Sequence, residues 1–109
     1  MPEPVVQVVT TVDTEEAAMA LADRLIAQRL AACVQVDGPI RSRYRWEGRV
    51  ETAAEWRVVA KTTSSAAPAA VDHLRRHHPY QQPEILTFEA TSASPGYAAW
   101  VRDETSPPG

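Results

Sequence analysis

A chain of 109 residues with 44% hydrophobic and 23% charged side chains suffices for one ordinary globular domain. Its formal net charge of −3 leaves out the concentrated basic surface that binding to nucleic-acid phosphates requires. One cysteine, Cys33, excludes an internal disulfide framework and fits a reducing compartment. Met1-Pro2-Glu3-Pro4 carries no basic leader, and no apolar run approaches the roughly 18 residues of a membrane helix. The chain therefore reads as cytoplasmic, with neither membrane nor nucleic acid among its partners.

Val5 to Val12 is rich in Val and Thr, which suit a pleated surface, and predicts a first strand. Asp13 is then placed to cap a helix, with Glu16 at the reciprocal capping-box position, and Ala18, Leu21, Ala22, Leu25 and Ile26 recur at helical spacing. Asp23, Arg24 and Gln28 fall on the other faces. Ala32, Val34 and Val36 begin a second strand that continues through Ile40, Ser42, Tyr44 and Trp46, with Arg41, Arg43 and Arg45 between them. Asp37-Gly38-Pro39 breaks that alternation and predicts a bulge or bend. The three arginines read as a solvated or salt-bridged strand face.

Glu47-Gly48 predicts a tight turn, a weaker hairpin signal than Asn-Gly, and Trp56, Val58 and Ala60 carry the return strand. Ser64 or Ser65 is placed to cap a second helix whose first turn accepts Pro68; its stripe is Ala67, Ala70, Val71 and Leu74, and Pro79 ends it. Glu84 to Ala90 reads as a fourth strand. Ser94-Pro95-Gly96 opens a short terminal helix carrying Tyr97, Trp100 and Val101. The whole of 1–109 is read as one domain, ordered from about 5 to 103, and the tail from 104, including Thr105-Ser106-Pro107-Pro108-Gly109, is expected to be flexible.

The order β-α-β-β-α-β describes an α+β fold, the split-βαβ, ferredoxin-like plan: one antiparallel sheet with both helices on one face. The other face is left uncovered. With Tyr44, Trp46 and Trp56 in the hairpin, an exposed apolar surface and hence oligomerisation are expected.

Leu30-Ala31-Ala32-Cys33-Val34, Tyr44-Arg45-Trp46-Glu47-Gly48, Ala60-Lys61-Thr62, His77-His78-Pro79-Tyr80-Gln81-Gln82-Pro83-Glu84 and Tyr97-Ala98-Ala99-Trp100 resemble, in order and spacing, the CutA family of divalent-cation-tolerance proteins. The match runs from about Val5 to Val101. The resemblance implies a homotrimer in which extended hairpin strands run onto neighbouring subunits. It also implies association with divalent cations, copper above all; no catalytic activity follows from it. The trimer is similar in architecture to the PII signalling proteins, which bind effectors in clefts between subunits. An alternative function follows from that likeness, a regulatory trimer sensing a small anionic metabolite or nucleotide.

Imidazole is a common ligand for copper and zinc, which makes His77 and His78 metal candidates for Cu(II) or another divalent cation. His73 and His77, at i and i+4, share a helical face and offer a two-imidazole site if the helix continues that far. The structural alternative has His77 capping the helix and His78 packing under the Pro79-Tyr80 turn. Cys33 is a soft ligand suited to Cu(I), or equally a small buried hydrophobe. Some CutA-like chains carry a further cysteine where this sequence has Thr10, so metal binding here leans on imidazole. Lys61, Tyr80 and Glu84 are candidates to line an inter-subunit cleft for an anionic ligand; alternatively Lys61 and Glu84 pair on adjacent strands. Trp46, Trp56 and Trp100 read as core or interface anchors. There is no P-loop, GxGxxG, GxSxG, HExxH or CxxC, so no catalytic residue is assigned. A cofactor is not expected to be required for folding, since a chain of this length can bury one ordinary core.

Overall fold

The computed structural model describes residues 3–105. The elements follow the expected order: β1 Val5–Val12, α1 Glu15–Ala27, β2 Cys33–Trp46, β3 Arg49–Thr63, α2 Ala67–His77, β4 Ile85–Glu89 and α3 Pro95–Glu104. The strands form one sheet in the order β2-β3-β1-β4, and every neighbouring pair is antiparallel. Among the described residues, no helix is long and apolar enough to cross a membrane.

The core lies between one sheet face and helices α1 and α2. Val6, Val8, Val12, Val58 and Ala60 point there from the strands and meet Ala18, Leu21, Leu25, Ala67, Ala70 and Leu74. Full burial of each Leu or Val is worth roughly 1.5–3 kcal/mol. Ile26, expected on the apolar stripe of α1, is 45% exposed instead. α1 is also capped one residue later than expected: the Thr14 hydroxyl, not Asp13, accepts the Ala17 N–H at 3.0 Å.

At its other end α1 closes in a left-handed residue, Arg29 (φ 57°). There Leu30 N–H donates to the Leu25 carbonyl and Arg29 N–H to the Ile26 carbonyl. Glycine is the usual occupant of this position. Arg29 fills it and adds a function, because its guanidinium donates to the Asp103 carbonyl at 3.1 Å and so ties α3 to the body. α3 packs at the end of the sheet where Val5 pairs with Thr63. Strand alternation turns these two residues away from α1 and α2, yet they are only 6% and 3% exposed. Of the tail expected to be flexible from 104, Glu104 closes α3 and Thr105 is 7% exposed, with its N–H donated to the Arg102 carbonyl; 106–109 lie outside the described residues.

Neither Ser64 nor Ser65 caps α2. Its cap residue is Ala66, whose N–H donates to the Thr63 hydroxyl, while the Glu3 carboxylate accepts from the Ser64 hydroxyl and from both the hydroxyl and N–H of Ser65. These bonds, the Ser65 N–H foremost, hold the Glu3 carboxyl below the ordinary carboxylate range.

The β2-β3 hairpin turns through Glu47 and Gly48, both at positive φ (51° and 79°), so the two-residue loop matches the twist of its strands. At its base Gly38 and Pro39 together oppose the single residue Trp56, a bulge between the pairs Asp37↔Arg57 and Ile40↔Glu55. The extra residue reverses the parity of β2. Val34 and Val36 face the helices, whereas Tyr44 and Trp46 fall on the opposite side, where they are 44% and 52% exposed. Trp56, expected with them, instead packs against the core.

A Cβ on Gly38 would sit 2.6 Å from Trp56 Cδ1 and 2.9 Å from the Glu55 carbonyl, whereas one on Gly48 would meet nothing within 4 Å. Gly38→Ala is therefore expected to cost about 1–3 kcal/mol through overpacking. Gly48→Ala is expected to cost about 1 kcal/mol through its left-handed backbone alone. Urea denaturation at fixed protein concentration checks the order; equal losses would show that the Trp56 contact relaxes freely.

Candidate functional site

The candidate histidines lie around the C-terminal end of α2. His73 is on the inner face of the helix beside Leu74 and is only 2% exposed. His77, one turn further on, is exposed, and its ring lies against that of His73 with centroids 4.4 Å apart and planes 39° apart. No hydrogen-bond partner reaches the buried Nε2 of His73. An imidazole nitrogen left bare in the interior costs roughly 1–3 kcal/mol unless something else takes its lone pair or proton.

His78 is directed elsewhere. Pro79 disfavours helical geometry at the residue before it, and His78 leaves α2 extended at φ −72°, ψ 139°. Its ring lies against the end of β1. The Thr10 hydroxyl donates to the Glu84 carbonyl at 2.6 Å, so toward His78 it acts as acceptor. Nε2–H of His78 therefore donates, with Thr10 Oγ1 at 2.9 Å and the Thr11 carbonyl at 3.0 Å, while Nδ1 accepts the Tyr80 N–H at 3.0 Å. Both nitrogens are in use, and one neutral tautomer satisfies all three contacts. Tyr80 continues the network: its ring lies 4.9 Å from that of His78, and its hydroxyl donates to Glu55 Oε2 at 2.7 Å. Burial and this bond to a carboxylate push the Tyr80 phenol well above its ordinary value.

Adjacent in sequence, His77 and His78 thus diverge: His77 stays with His73 on the helix, and His78 locks helix, β1 and hairpin base together. Cys33 joins neither. It is half-buried on the edge strand β2, opposite Lys61, which in turn is opposite Gln7; Thr10 lies three residues further along β1. Lys61, Tyr80 and Glu84 do not converge within the subunit. Glu84 precedes Ile85, which pairs with Thr10, so all of β1 separates it from Lys61, and the suggested Lys61–Glu84 pair on adjacent strands does not form. Among the described residues, no group of three or more His, Cys, Asp or Glu side chains is gathered to hold a metal.

Two residues of the network are not marked out by sequence pattern. Thr10 stands out there only as a position where a thiol is lacking, although a buried hydroxyl at a strand end always needs partners. Glu55 draws no site assignment, although a carboxylate within Ala53-Ala54-Glu55-Trp56 is conspicuous in a strand; it is 9% exposed and held by Tyr80.

The sequence profile of the family described as CutA1 divalent ion tolerance protein matches residues 6–104. The chain belongs to the CutA1 family. The Divalent-cation tolerance protein CutA of Salmonella newport (strain SL254) is 40% identical over 101 residues, covering 93% of this chain and 87% of that one. CutA1 from Ehrlichia chaffeensis has the same fold, with a TM-score of 0.93 at 29% identity over 97% of this chain and 99% of that one. The divalent cation tolerance protein of Thermus thermophilus gives a TM-score of 0.89 at 35% identity, covering 94% and 99% of the two chains. The CutA1 match spans β1 through α3, so the histidine cluster and the Thr10–His78–Tyr80–Glu55 network both lie inside it.

His73 and His78 both titrate below the ordinary histidine value of 6.5. Burial is the main cause at each; at His73 the charges of His77, Arg76 and Arg24 add to it, and at His78 the bond to Thr11 opposes it. The unfolded chain therefore takes up protons first. Stability is complete above about pH 6.5 and is lost as pH falls through the depressed folded values. His73→Leu is expected to flatten this acid limb by up to about 1.4 kcal/mol per pH unit, as denaturation midpoints between pH 7.5 and 5 would reveal. Tyr80→Phe strips a buried carboxylate of its donor and should destabilise by about 1–3 kcal/mol at pH 7; an unchanged midpoint would mean that Glu55 finds water instead.

Proposed function

We propose that this chain serves divalent-cation tolerance, the role named for its relatives, as a non-enzymatic homotrimer that binds a copper ion through His73 and His77. One observation carries the metal reading: a 2% exposed imidazole whose Nε2 has no partner, in ring contact with a second, exposed imidazole one helical turn away. A buried imidazole nitrogen without a hydrogen bond gains from whatever takes its lone pair, a metal ion among the candidates, and imidazole lies within the preference of copper and zinc. His78 serves as scaffold in this reading, since ligation would break bonds at both of its nitrogens.

The trimer reading is supported by the sheet face that α1 and α2 leave open. Leu86 and Phe88 of β4 are 47% and 53% exposed there, and the bulge turns Tyr44 and Trp46 to the same side. So much apolar surface on a small subunit is what an interface between copies covers. Light scattering at micromolar concentration is expected to give three times the mass of one chain, and a stable folded single chain would remove the trimer.

Calorimetric titration with Cu(II) tests the site. The wild-type chain is expected to bind at least tenfold more tightly than His73→Ala/His77→Ala. His78→Ala should lose stability but keep its affinity. Equal affinity of the wild type and the double variant would discard the pair as ligands.

A further inference from the structure

We infer that the helix-side face of the β2-β3 hairpin, which carries Arg41, Arg43 and Arg45, docks an extended acidic segment of a partner protein with a carboxylate at every second residue. Such docking needs no metal and so stands apart from the ion-binding reading. Four of the chain's eleven cationic side chains, Arg41, Arg43, Arg45 and Arg49, fall in this hairpin. The bulge at Gly38-Pro39 decides which way they point. β3 keeps its alternation past Trp56, so Ala54, Thr52 and Val50 lie on the helix side, and their partners across the ladder are Arg41, Arg43 and Arg45. The acids of the hairpin fall elsewhere: Glu51 and Glu55 pair with Tyr44 and Ile40 on the other face, and Glu47 is in the turn. Parity thus separates the charges. Three guanidinium groups stand in a row with no carboxylate on their own face of the ladder.

The row is open and partly fixed. All three arginines are exposed, and among the described residues none of them is in an ion pair, whereas Arg29, Arg57, Arg75 and Arg76 all are. Arg43 lies across the ladder and donates to the Thr52 hydroxyl at 3.0 Å. That bond ties the middle guanidinium to β3 while using one of its five donors. Beside the arginines runs a shelf of Ala54, Thr52 and Val50, the last 51% exposed, which gives a polypeptide uncharged surface to lie on and a bare phosphate chain nothing.

Spacing selects the shape of the partner. Alternate residues of a strand are roughly 6.4–6.8 Å apart, so the row spans about 13 Å. A second extended chain has the same repeat and brings a carboxylate to each arginine at once; same-face residues of a helix recur about every 6 Å and match less well. Arginine also suits carboxylates in particular, because its fork of donors meets both oxygens. In the trimer proposed above, the Tyr44 and Trp46 side of the hairpin is given to neighbouring copies. The arginine side is then the one left for a different partner.

Fluorescence anisotropy of a labelled peptide of four Glu-Thr repeats, titrated with the full-length chain, tests the docking. A peptide of four glutamates followed by four threonines has the same composition without the alternate spacing, and is expected to bind at least fivefold more weakly. Arg41→Gln/Arg43→Gln/Arg45→Gln is expected to weaken the alternating peptide at least tenfold, with melting temperature and particle mass unchanged. Arg24→Gln/Arg75→Gln/Arg76→Gln removes the same charge elsewhere and is expected to change affinity less than twofold. Arg43→Lys keeps the charge and gives up the fork, so a severalfold loss from that single exposed change supports carboxylate recognition even if the triple variant folds poorly. Equal losses from the two triple variants, or equal affinity for the two peptides, would show attraction to charge alone and overturn the proposal. A changed particle mass on losing the three arginines would overturn it in favour of a second copy of the chain on this face, and tighter binding of tripolyphosphate than of the peptide would overturn it in favour of a phosphate ligand.

Discussion

The arrangement depends on a count of two residues against one. Gly38 and Pro39 occupy on β2 the space that Trp56 alone occupies on β3, and the Trp56 ring lies so close to Gly38 that no side chain fits there. Three consequences follow. The hairpin beyond the bulge presents Tyr44 and Trp46 away from the helices, where the molecule has no core to receive them. Trp56 is pressed onto the core. Its neighbour Glu55 is left at the hairpin base as the acceptor for Tyr80. A strand without the extra residue would keep its parity and carry its aromatic residues to the helix side, past the end of the helices.

From Glu55 a continuous set of contacts runs to α2. Tyr80 donates its hydroxyl to Glu55 and its N–H to His78, and His78 donates to the end of β1, where Thr10 also secures Glu84. Each side chain in this set uses the hydrogen-bonding capacity that its neighbour offers, which makes the His78 tautomer a product of its surroundings. Because His78 is fully occupied, the end of α2 can expose His77 without disturbing the joint. The division of labour among three histidines within six positions arises from Pro79, which forces the chain out of the helix between the second and the third.

His73 is the anomaly within an otherwise satisfied interior. Of the described residues, only two have a buried side-chain polar atom without a partner, and the other is Thr105 at the end of α3. A nonpolar residue would fill the same place on α2 without that cost, whereas an imidazole there leaves one ring nitrogen without a partner.

Local pattern was enough to show the order of elements, the fold class, the bulge at Gly38-Pro39, the turn at Glu47-Gly48 and the family, since each rests on residues close together in the chain or on motifs in register. The same spacing placed His73 beside His77, because i and i+4 share a helical face whatever surrounds the helix. What the sequence could not decide was anything that depends on residues far apart meeting: Glu3 occupying the serines expected to cap α2, Thr10 meeting His78 across 68 positions, Tyr80 reaching Glu55, and β1 separating Lys61 from Glu84. Helical and strand periodicities are short-range consequences of backbone geometry, whereas a hydrogen-bond partner is chosen by where the sheet and its bulge deliver each side chain. Only the folded arrangement therefore revealed which histidine has both ring nitrogens engaged and which one has a buried nitrogen without a partner.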